Sequence, residues 1–382
     1  EIFTSTSAQQ GHRATMEDVH VIAKLTHCNF AYFAVYDGHN GIECARFLEK
    51  HLHTNIDNDL SELYAQSTQP EWAALRRTVA QSFMRTDGTF LSQHEHSRDS
   101  EAGSTVVSVL INEDTGQVIV ANTGDAMAVL SRNGEAVELC EQHRPSNPRY
   151  HRSVNFCAYR ERVRVEKAGG TISNDRLEGV LAVTRAMGDA HFKLYNQVHA
   201  YAASYLQART QKDDEKALLA KPDDFVVIAC DGLWDVMDGQ SVVDFIRRKI
   251  RQSGATDWSK QQSRPRKQSR PAVVTPAEGD SGMTSAFRGG LSGVVNVVGS
   301  MASKVIHPFS AGSASGGKDR RGSASPISYD NNSASILTLQ ALQTHLASEL
   351  CTHALNLGSP DNVTAIVCLL RFPEASQIRT AQ

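Results

Sequence analysis

The sequence predicts an α+β domain in which strands and helices form separate layers. Apolar runs bounded by turn signals dominate the first 140 residues and return near residues 225 and 363, as expected for buried strands. Between these groups, apolar residues recur with the 3.6-residue period of amphipathic helices. Strands grouped in sequence, with helices between the groups, favour a layered α+β architecture. The regular β-α alternation of a doubly wound parallel sheet is missing.

The strands are predicted from short apolar runs that end at turn residues. The first clear run covers residues 30–36, and a near-continuous meander follows it at 104–111, 117–122, 126–131 and 135–139. Asn133-Gly134 separates the last two runs, and Asn-Gly is the strongest short-range hairpin signal. Two further strands are predicted at 225–230 and 362–370.

Four helices are predicted from apolar stripes on one face. The first stripe contains Cys44, Phe47, Leu48 and Leu52, and the second contains Trp72, Leu75, Val79 and Phe83. The third helix is expected at 241–250 and the fourth at 336–357. Each helix buries one stripe, so the helices are expected to cover the sheets.

Residues 252–335 differ in composition from the rest of the chain. Ser, Gly, Arg and Lys replace the periodic apolar positions there, which predicts a flexible insertion. Loop-closure entropy grows slowly with length, so one domain spanning 1–372 tolerates it, with a short tail at 373–382. Arg320 and Arg321 stand shortly before Ser323, and Ser325 precedes Pro326. The insertion is therefore either a segment in which phosphorylation or partner binding tunes activity, or a passive spacer.

Composition narrows the classes of function. The chain has 39 basic and 42 acidic residues, a net charge of −3, which argues against a nucleic-acid or membrane-surface binder. No apolar run approaches the roughly 18 to 20 residues of a membrane-spanning helix. The seven cysteines are scattered without a C-x-x-C pair, which predicts an intracellular protein, cytoplasmic or nuclear, without a cysteine-based zinc site.

Acidic residues stand at the ends of the predicted buried strands. They are Asp37 and Asp231, each followed by glycine, then Asp361 before the last strand, Asp125 in a turn of the meander, and the pair Glu17 and Asp18. One Asp-Gly pair alone is ordinary turn chemistry. Several carboxylates brought together repel one another unless cations neutralise them, and an all-oxygen ligand set suits Mg²⁺ or Mn²⁺. The pattern therefore predicts a two-metal hydrolase centre.

Eight motifs in order give the chain a family resemblance. They are GHRATMED (11–18), VYDGH (35–39), GST (103–105), ANTGD (121–125), AGG (168–170), LAVTRAMGD (181–189), ACDGLWDV (229–236) and SPDNVT (359–364). On these motifs, residues 4–372 resemble the metal-dependent protein phosphatase (PPM, type 2C) family. The resemblance implies a central sandwich of two antiparallel β-sheets flanked by α-helices, in four αββα layers.

The resemblance also implies a ligand set for two divalent cations, Mg²⁺ or Mn²⁺. The ligands carried over are Asp37 as the bridging carboxylate, the carbonyl of Gly38, Asp231 and Asp361, with Glu17 and Asp18 binding through water. A third, weaker cation would use Asp125 and Asp235 together with Asp231. The expected reaction is hydrolysis of phosphoserine and phosphothreonine in proteins, by attack of a metal-bridging hydroxide in line with the leaving oxygen, in a monomeric enzyme.

Two further side chains complete the expected chemistry. Arg13 lies beside the acidic cluster and offers a planar fork to two phosphoryl oxygens; the alternative is a salt bridge to Glu17 or Asp18. His39 is expected to protonate the leaving serine or threonine oxygen, a role the family assigns to this position. The alternative there is a purely structural histidine.

A phosphatase-like protein without activity is the rival hypothesis, since it would bind phosphoproteins and regulate a partner. Asn40, Ala126 and His12 depart from the family pattern, but none of them removes an expected ligand. A cysteine-dependent phosphatase is excluded because no cysteine is followed by arginine six positions later. The stretch 191–222 does not match the family's flap, so substrate preference does not transfer with the resemblance.

Overall fold

A computed structural model of the chain describes residues 2–94, 101–145, 156–195, 218–219, 224–253, 341–342 and 344–370. The predicted insertion at 252–335 lies outside these residues except for its first two positions, and the predicted tail at 373–382 lies entirely outside them. Among the residues described, no helix is long and apolar enough to cross a membrane. The described residues before and after the insertion belong to the same structural unit.

The secondary structure alternates blocks of strands with helices. The strands are β1 (Ile2–Gln9), β2 (Asp18–Leu25), β3 (Phe30–His39), β4 (Gly103–Asn112), β5 (Gln117–Thr123), β6 (Met127–Arg132), β7 (Glu135–Glu138), β8 (Ile172–Ser173), β9 (Arg176–Leu177), β10 (Met187–Gly188), β11 (Leu218–Leu219), β12 (Phe225–Ala229) and β13 (Val363–Leu370). The helices are α1 (Glu43–Gln66), α2 (Trp72–His94), α3 (Phe156–Lys167), α4 (Asp231–Trp234), α5 (Gly239–Gln252) and α6 (Leu346–Asn356), and a π-helical turn covers His191–Tyr195.

Two antiparallel sheets form the centre of the fold, as predicted. The first sheet has the strand order β1-β13-β12-β6-β7, and the second has the order β11-β5-β4-β3-β2, with β10 paired to the start of β4. Helices α1 and α2 pack on the outer face of the second sheet. Helices α5 and α6 pack on the first sheet. The αββα layering is therefore confirmed.

Strand β3 shows why the central strands are almost wholly apolar. Its odd-numbered residues, such as Phe33 and Val35, join the core between the two sheets. Its even-numbered residues, such as Tyr32 and Tyr36, pack against α1 and α2. Both faces are buried because side chains alternate along a strand. The unbroken apolar run is what this double burial requires.

Element ends differ from the predictions at two places. Strand β3 continues through Asp37 to His39, because these residues pair with Thr105, Ser104 and Gly103 of β4. The helix predicted over 336–357 is interrupted in its described part: residues 341–342 are helical, residues 344–345 form a turn, and α6 begins at Leu346. The Asn133-Gly134 hairpin is confirmed: both residues have positive φ (54° and 84°), and Arg132 pairs with Glu135.

Candidate active site

One cleft gathers the acids that the sequence predicts to be ligands. It lies where the end of β3, the β5–β6 turn, the start of α4 and the loop before β13 meet, and its volume is about 370 Å³. The predicted site residues in its wall are Arg13, Glu17, Asp37, Gly38, His39, Asp125, Asp231 and Asp361. Asp18 lies behind the wall, opposite Asp37 in the β2–β3 register. We call this group of residues the acidic cleft.

Three carboxylates approach one another most closely at the centre. One oxygen each of Asp37, Asp125 and Asp231 lies within 4.8 Å of the other two. A carboxylate oxygen of Asp18, one of Asp37 and the sulfur of Cys230 form a second such group. Burial raises the pKa of the Cys230 thiol, so the carboxylates are the donors that matter here. This all-oxygen set is what Mg²⁺ and Mn²⁺ prefer.

The pKa values of three acids at the cleft are raised, which shows that the positive charges of the chain do not fully neutralise them. Burial, followed by the charges of Asp18 and Asp231, raises the pKa of Asp37 well above its usual range. Burial also raises the pKa of Asp231, although the Arg144 guanidinium opposes the rise. Burial raises the pKa of Asp18 to about 6. Carboxylates held in this way bind cations readily, because a bound cation removes both the repulsion and the desolvation penalty.

An unpartnered hydroxyl in the same wall fits a cation as well. Thr105 Oγ1 is buried and, among the described residues, has no hydrogen-bond partner. Buried polar atoms without partners are uncommon in folded proteins and call for a bound water or ion. The donor set and this orphaned oxygen together fit a hydrated divalent cation.

Two glycines let the acid-bearing segments touch through their backbones. A Cβ on Gly38 would lie 2.6 Å from the carbonyl oxygen of Glu17. A Cβ on Gly232 would overlap the carbonyl oxygen of Asn362. The Asp-Gly pairs are therefore explained by close packing between segments, and turn formation alone does not account for them.

Asn362 fixes the loop that carries Arg13 and Glu17. Its Oδ1 accepts from the Glu17 backbone N–H at 3.0 Å, and its Nδ2 donates to the carbonyl oxygens of Gln10 (2.8 Å) and Thr15 (3.0 Å). Asn362 belongs to the motif at 359–364, but the sequence analysis assigned no role to it. Its position directly after Asp361 was the available signal.

Arg13 lies at the rim of the cleft, with 58% of its side chain exposed. Its Nη2 donates to Asp361 Oδ2 at 2.6 Å, so its partner is Asp361 and neither Glu17 nor Asp18. Burial lowers the pKa of Arg13, but the charge and hydrogen bond of Asp361 outweigh it, and the net shift is upward. The exposed guanidinium keeps donors that face solvent at the cleft entrance.

His39 is tied to an acid that the sequence did not single out. Its Nε2 lies 2.9 and 3.0 Å from the two carboxylate oxygens of Asp189. Burial lowers the pKa of His39, but the charge of Asp189 and its hydrogen bond outweigh burial and raise it overall. Asp189 itself is buried, and its backbone N–H donates to the carbonyl of Ala102. The imidazole is thus oriented by a fixed carboxylate.

Arg144 is a second residue that sequence reasoning missed. Its guanidinium donates to Asp125 and Asp231 at 2.6 Å each and to Asp235 at 2.9 Å. These are the three acids assigned to the weaker third cation. The sequence offered one signal: a basic residue at 144 next to a histidine, in the loop after the meander.

The buried carboxylate of Glu161 is neutralised by side chains of the same chain. Glu161 accepts hydrogen bonds from Arg164 (2.7 Å), Thr184 (2.8 Å) and Arg185 (2.9 Å). Burial raises its pKa, but the bonds and charges of Arg185 and Arg164 outweigh this and lower the pKa far below its usual range. This Glu161 cluster supports residues 182 and 183, which line the cleft.

Both the sequence and the fold of this chain resemble those of known proteins. The family model described as protein phosphatase 2C matches residues 4–267. Mouse protein phosphatase 1B is 30% identical over 253 residues, which cover 64% of this chain and 60% of the mouse protein. The chain therefore spans 60% of the length of that relative.

Solved structures share the fold at low sequence identity. A structure of a C. elegans sex determining protein has a TM-score of 0.60 at 20% identity, covering 97% of this chain and 65% of that one. A phosphatase from a pathogenic strain of Toxoplasma gondii has a TM-score of 0.58 at 17% identity, covering 97% and 93%. At these identities the likeness concerns the fold.

Proposed function

This chain belongs to the protein phosphatase 2C family, and from that membership we propose that it hydrolyses phosphoserine and phosphothreonine in proteins with the help of divalent cations. One observation supports this most: Asp37, Asp125 and Asp231 share a cleft with an exposed arginine and a carboxylate-bound histidine. This hydrolysis requires carboxylates that bind the cations, a guanidinium that binds the phosphate and a group that donates a proton to the leaving oxygen.

The cations would be held by the buried oxygens of the cleft. The proposed ligands are Asp37, the Gly38 carbonyl, Asp231 and Asp361, with Glu17 and Asp18 acting through water. The cations would supply positive charge that acidifies a water and offsets charge on the phosphoryl oxygens. The raised pKa values of Asp37 and Asp231 support the binding of cations here, because the chain alone does not neutralise these acids, and we propose two of them, Mg²⁺ or Mn²⁺.

Arg13 binds the phosphoryl group in this proposal. Its guanidinium is exposed at the rim, and the acid to which it is hydrogen-bonded, Asp361, is a proposed cation ligand. A cation held by Asp361 would weaken the attraction of this carboxylate for Arg13 and leave the guanidinium available to the phosphate. A planar guanidinium holds two phosphoryl oxygens at once, which fixes the phosphate in one orientation.

His39 supplies the proton to the leaving serine or threonine oxygen. An alkoxide is a poor leaving group, so protonation during bond cleavage lowers the barrier. Burial lowers the pKa of His39, but the charge and hydrogen bond of Asp189 raise it overall, which favours the protonated imidazole, and the contacts of Nε2 with Asp189 hold the ring in place. Asp189 acts here as a positioning residue.

The experiment that tests the proposal is turnover of a phosphothreonine peptide with Mn²⁺ or Mg²⁺, with and without a chelator. Turnover is expected with either cation and is expected to vanish with the chelator or in Asp37→Ala. Turnover that survives the chelator would refute the cation requirement. Cation-dependent binding of the phosphopeptide without any turnover would instead support the rival, a regulatory phosphoprotein-binding protein.

A further inference from the structure

Two acids of the cleft, Asp125 and Asp231, are already bonded to a buried cation that belongs to the chain, Arg144. The side chain of Arg144 is only 11% exposed, and its three nitrogens donate to three different carboxylates. Burial lowers the pKa of Arg144, but the charges of Asp125, Asp231 and Asp235 outweigh burial, and the net shift of the pKa is upward. A guanidinium stays protonated under any ordinary condition, so this positive charge is permanent.

The backbone around Arg144 is fastened to the β5–β6 turn. The Gly124 N–H donates to His143 Nδ1 at 3.1 Å, and the His143 N–H donates to the Gly124 carbonyl at 2.9 Å. Gln142 Nε2 donates to the Asp125 carbonyl at 2.8 Å. The residue before Arg144 is therefore clamped to the residue before Asp125. The position of the guanidinium is built into the fold.

The oxygens that Arg144 engages differ among the three acids. It binds Oδ2 of Asp125 and Oδ2 of Asp231, so each keeps a second oxygen that is not bonded to it. It binds both oxygens of Asp235, at 2.9 and 3.4 Å. Asp231 thus remains able to face Asp37, whereas Asp235 is fully engaged. Asp235 therefore offers a divalent cation fewer unbonded oxygens than Asp125 or Asp231 does.

We propose that Arg144 is a built-in cation that excludes a third divalent cation from Asp125, Asp231 and Asp235 while leaving the Asp37 side of the cleft open. The proposal rests on the proposed function insofar as it assumes cations beside Asp37. A guanidinium and a divalent cation cannot share the same carboxylate oxygens, and their like charges repel each other strongly at such a short distance.

Counting bound cations tests the proposal without measuring turnover. Mn²⁺ binding to the full chain is titrated by calorimetry and equilibrium dialysis, for the unaltered protein and for Arg144→Gln. The matched control is Arg132→Gln, which removes an equally buried guanidinium from Asp224 at the opposite end of β6 and β12. Thermal melting with chelator and with Mn²⁺ is recorded for all three proteins.

The expected result is two bound cations in the unaltered protein and in Arg132→Gln, and three in Arg144→Gln. The third cation should bind at least about tenfold more tightly to the variant than to the unaltered protein. Mn²⁺ should also raise the melting temperature of Arg144→Gln more than that of either other protein.

Equal numbers of cations in Arg144→Gln and the unaltered protein would overturn the proposal. Three cations on the unaltered protein would overturn it too, and this measurement does not depend on whether the variant folds. No cation at all on the unaltered protein would instead refute the cation part of the proposed function.

Discussion

The acidic cleft and the Glu161 cluster both bury carboxylates within a short distance of the same loop, residues 181–185. In the cluster, one carboxylate meets two guanidinium groups and a hydroxyl. In the cleft, Asp37 faces other acids, and burial raises its pKa. The pKa shifts of Glu161 and Asp37 therefore have opposite directions.

The opposite pKa shifts distinguish a buried charge that stabilises the fold from one that serves the site. A buried carboxylate with its own guanidinium partners stabilises the fold as long as those partners remain. A buried carboxylate surrounded by acids destabilises the fold until something external neutralises it. Local destabilisation at a site is a common cost of binding and catalysis. The four predictions below test this contrast, from the largest expected effect to the smallest.

Asp37→Asn should separate activity from stability. Turnover of a phosphothreonine peptide should fall below detection, because the central oxygen donor loses its charge. In the presence of a chelator the melting temperature should rise, because the variant no longer buries a carboxylate among acids. Asp114→Asn, at an exposed acid of the β4–β5 turn, is the control and should change neither property. If the melting temperature of Asp37→Asn in chelator is lower than that of the unaltered protein, the carboxylate of Asp37 does not destabilise the fold.

Glu161→Ala should have the opposite effect on stability. It leaves Arg164 and Arg185 without their shared acid, and breaking such a buried pair costs about 3–5 kcal/mol. Urea denaturation should show this loss equally with chelator and with Mn²⁺. In the same helix, Arg162 pairs with Asp175 at the surface, so Arg162→Ala should cost less than about 1 kcal/mol. A loss of similar size in both variants would show that the Glu161 cluster is no stronger than a surface pair.

His39→Ala tests whether the cleft histidine works on the leaving group. Turnover of the phosphothreonine peptide should fall roughly 10²-fold or more, and turnover of an aryl phosphate should fall less because its leaving oxygen needs little protonation. His27 also pairs with an acid, Asp57 at 3.0 Å, but at the far end of β2 and β3, so His27→Ala serves as the control. Equal losses for both substrates would refute the assignment.

The effect of Asp18 on the stability of the fold should depend on pH. Its pKa rises from 3.8 to about 6 on folding, so the folded chain keeps a proton that the unfolded chain loses. In chelator, this group stabilises the fold below about pH 4, and the stabilisation disappears as the pH rises through about 6. The melting temperature of Asp18→Asn minus that of the unaltered protein should therefore be near zero at pH 4 and should increase toward pH 7.

The subtraction removes groups common to both proteins. Burial lowers the pKa of His143 to about 3, which makes the fold less stable as the pH falls, but it does so in the variant as well. A difference in melting temperature that stays constant between pH 4 and pH 7 would show that Asp18 does not lose its proton over this range.

The sequence predicted the layers and most of the cleft for a physical reason. Buried strands require apolar runs, and acids directly after those runs must meet where the strands end. Asp37 and Asp231 were found in this way. The pairing of Asp37 within β3 was not, because it depends on Gly103–Thr105 of β4, which local turn chemistry does not detect.

The missed residues are those whose partners lie far along the chain. Arg144 and Asp231 are separated by 87 positions, and His39 and Asp189 by 150. No periodicity links such pairs; only the folded backbone brings them together. The turn before α6 was missed for a local reason: Leu342 and Leu346 keep helical spacing across it, and His345 precedes α6 without a side-chain cap that marks the boundary.

The contacts at Gly38 and Gly232 also bear on how this site changes during evolution. Each glycine accommodates the carbonyl of a different acid-bearing segment, Glu17 in one case and Asn362 in the other. A change in the path of any one segment therefore obstructs its neighbour. Grafting one of these segments from a distant relative should fail unless its contacting segment is transferred with it. The segments of the cleft are therefore expected to be inherited as a set.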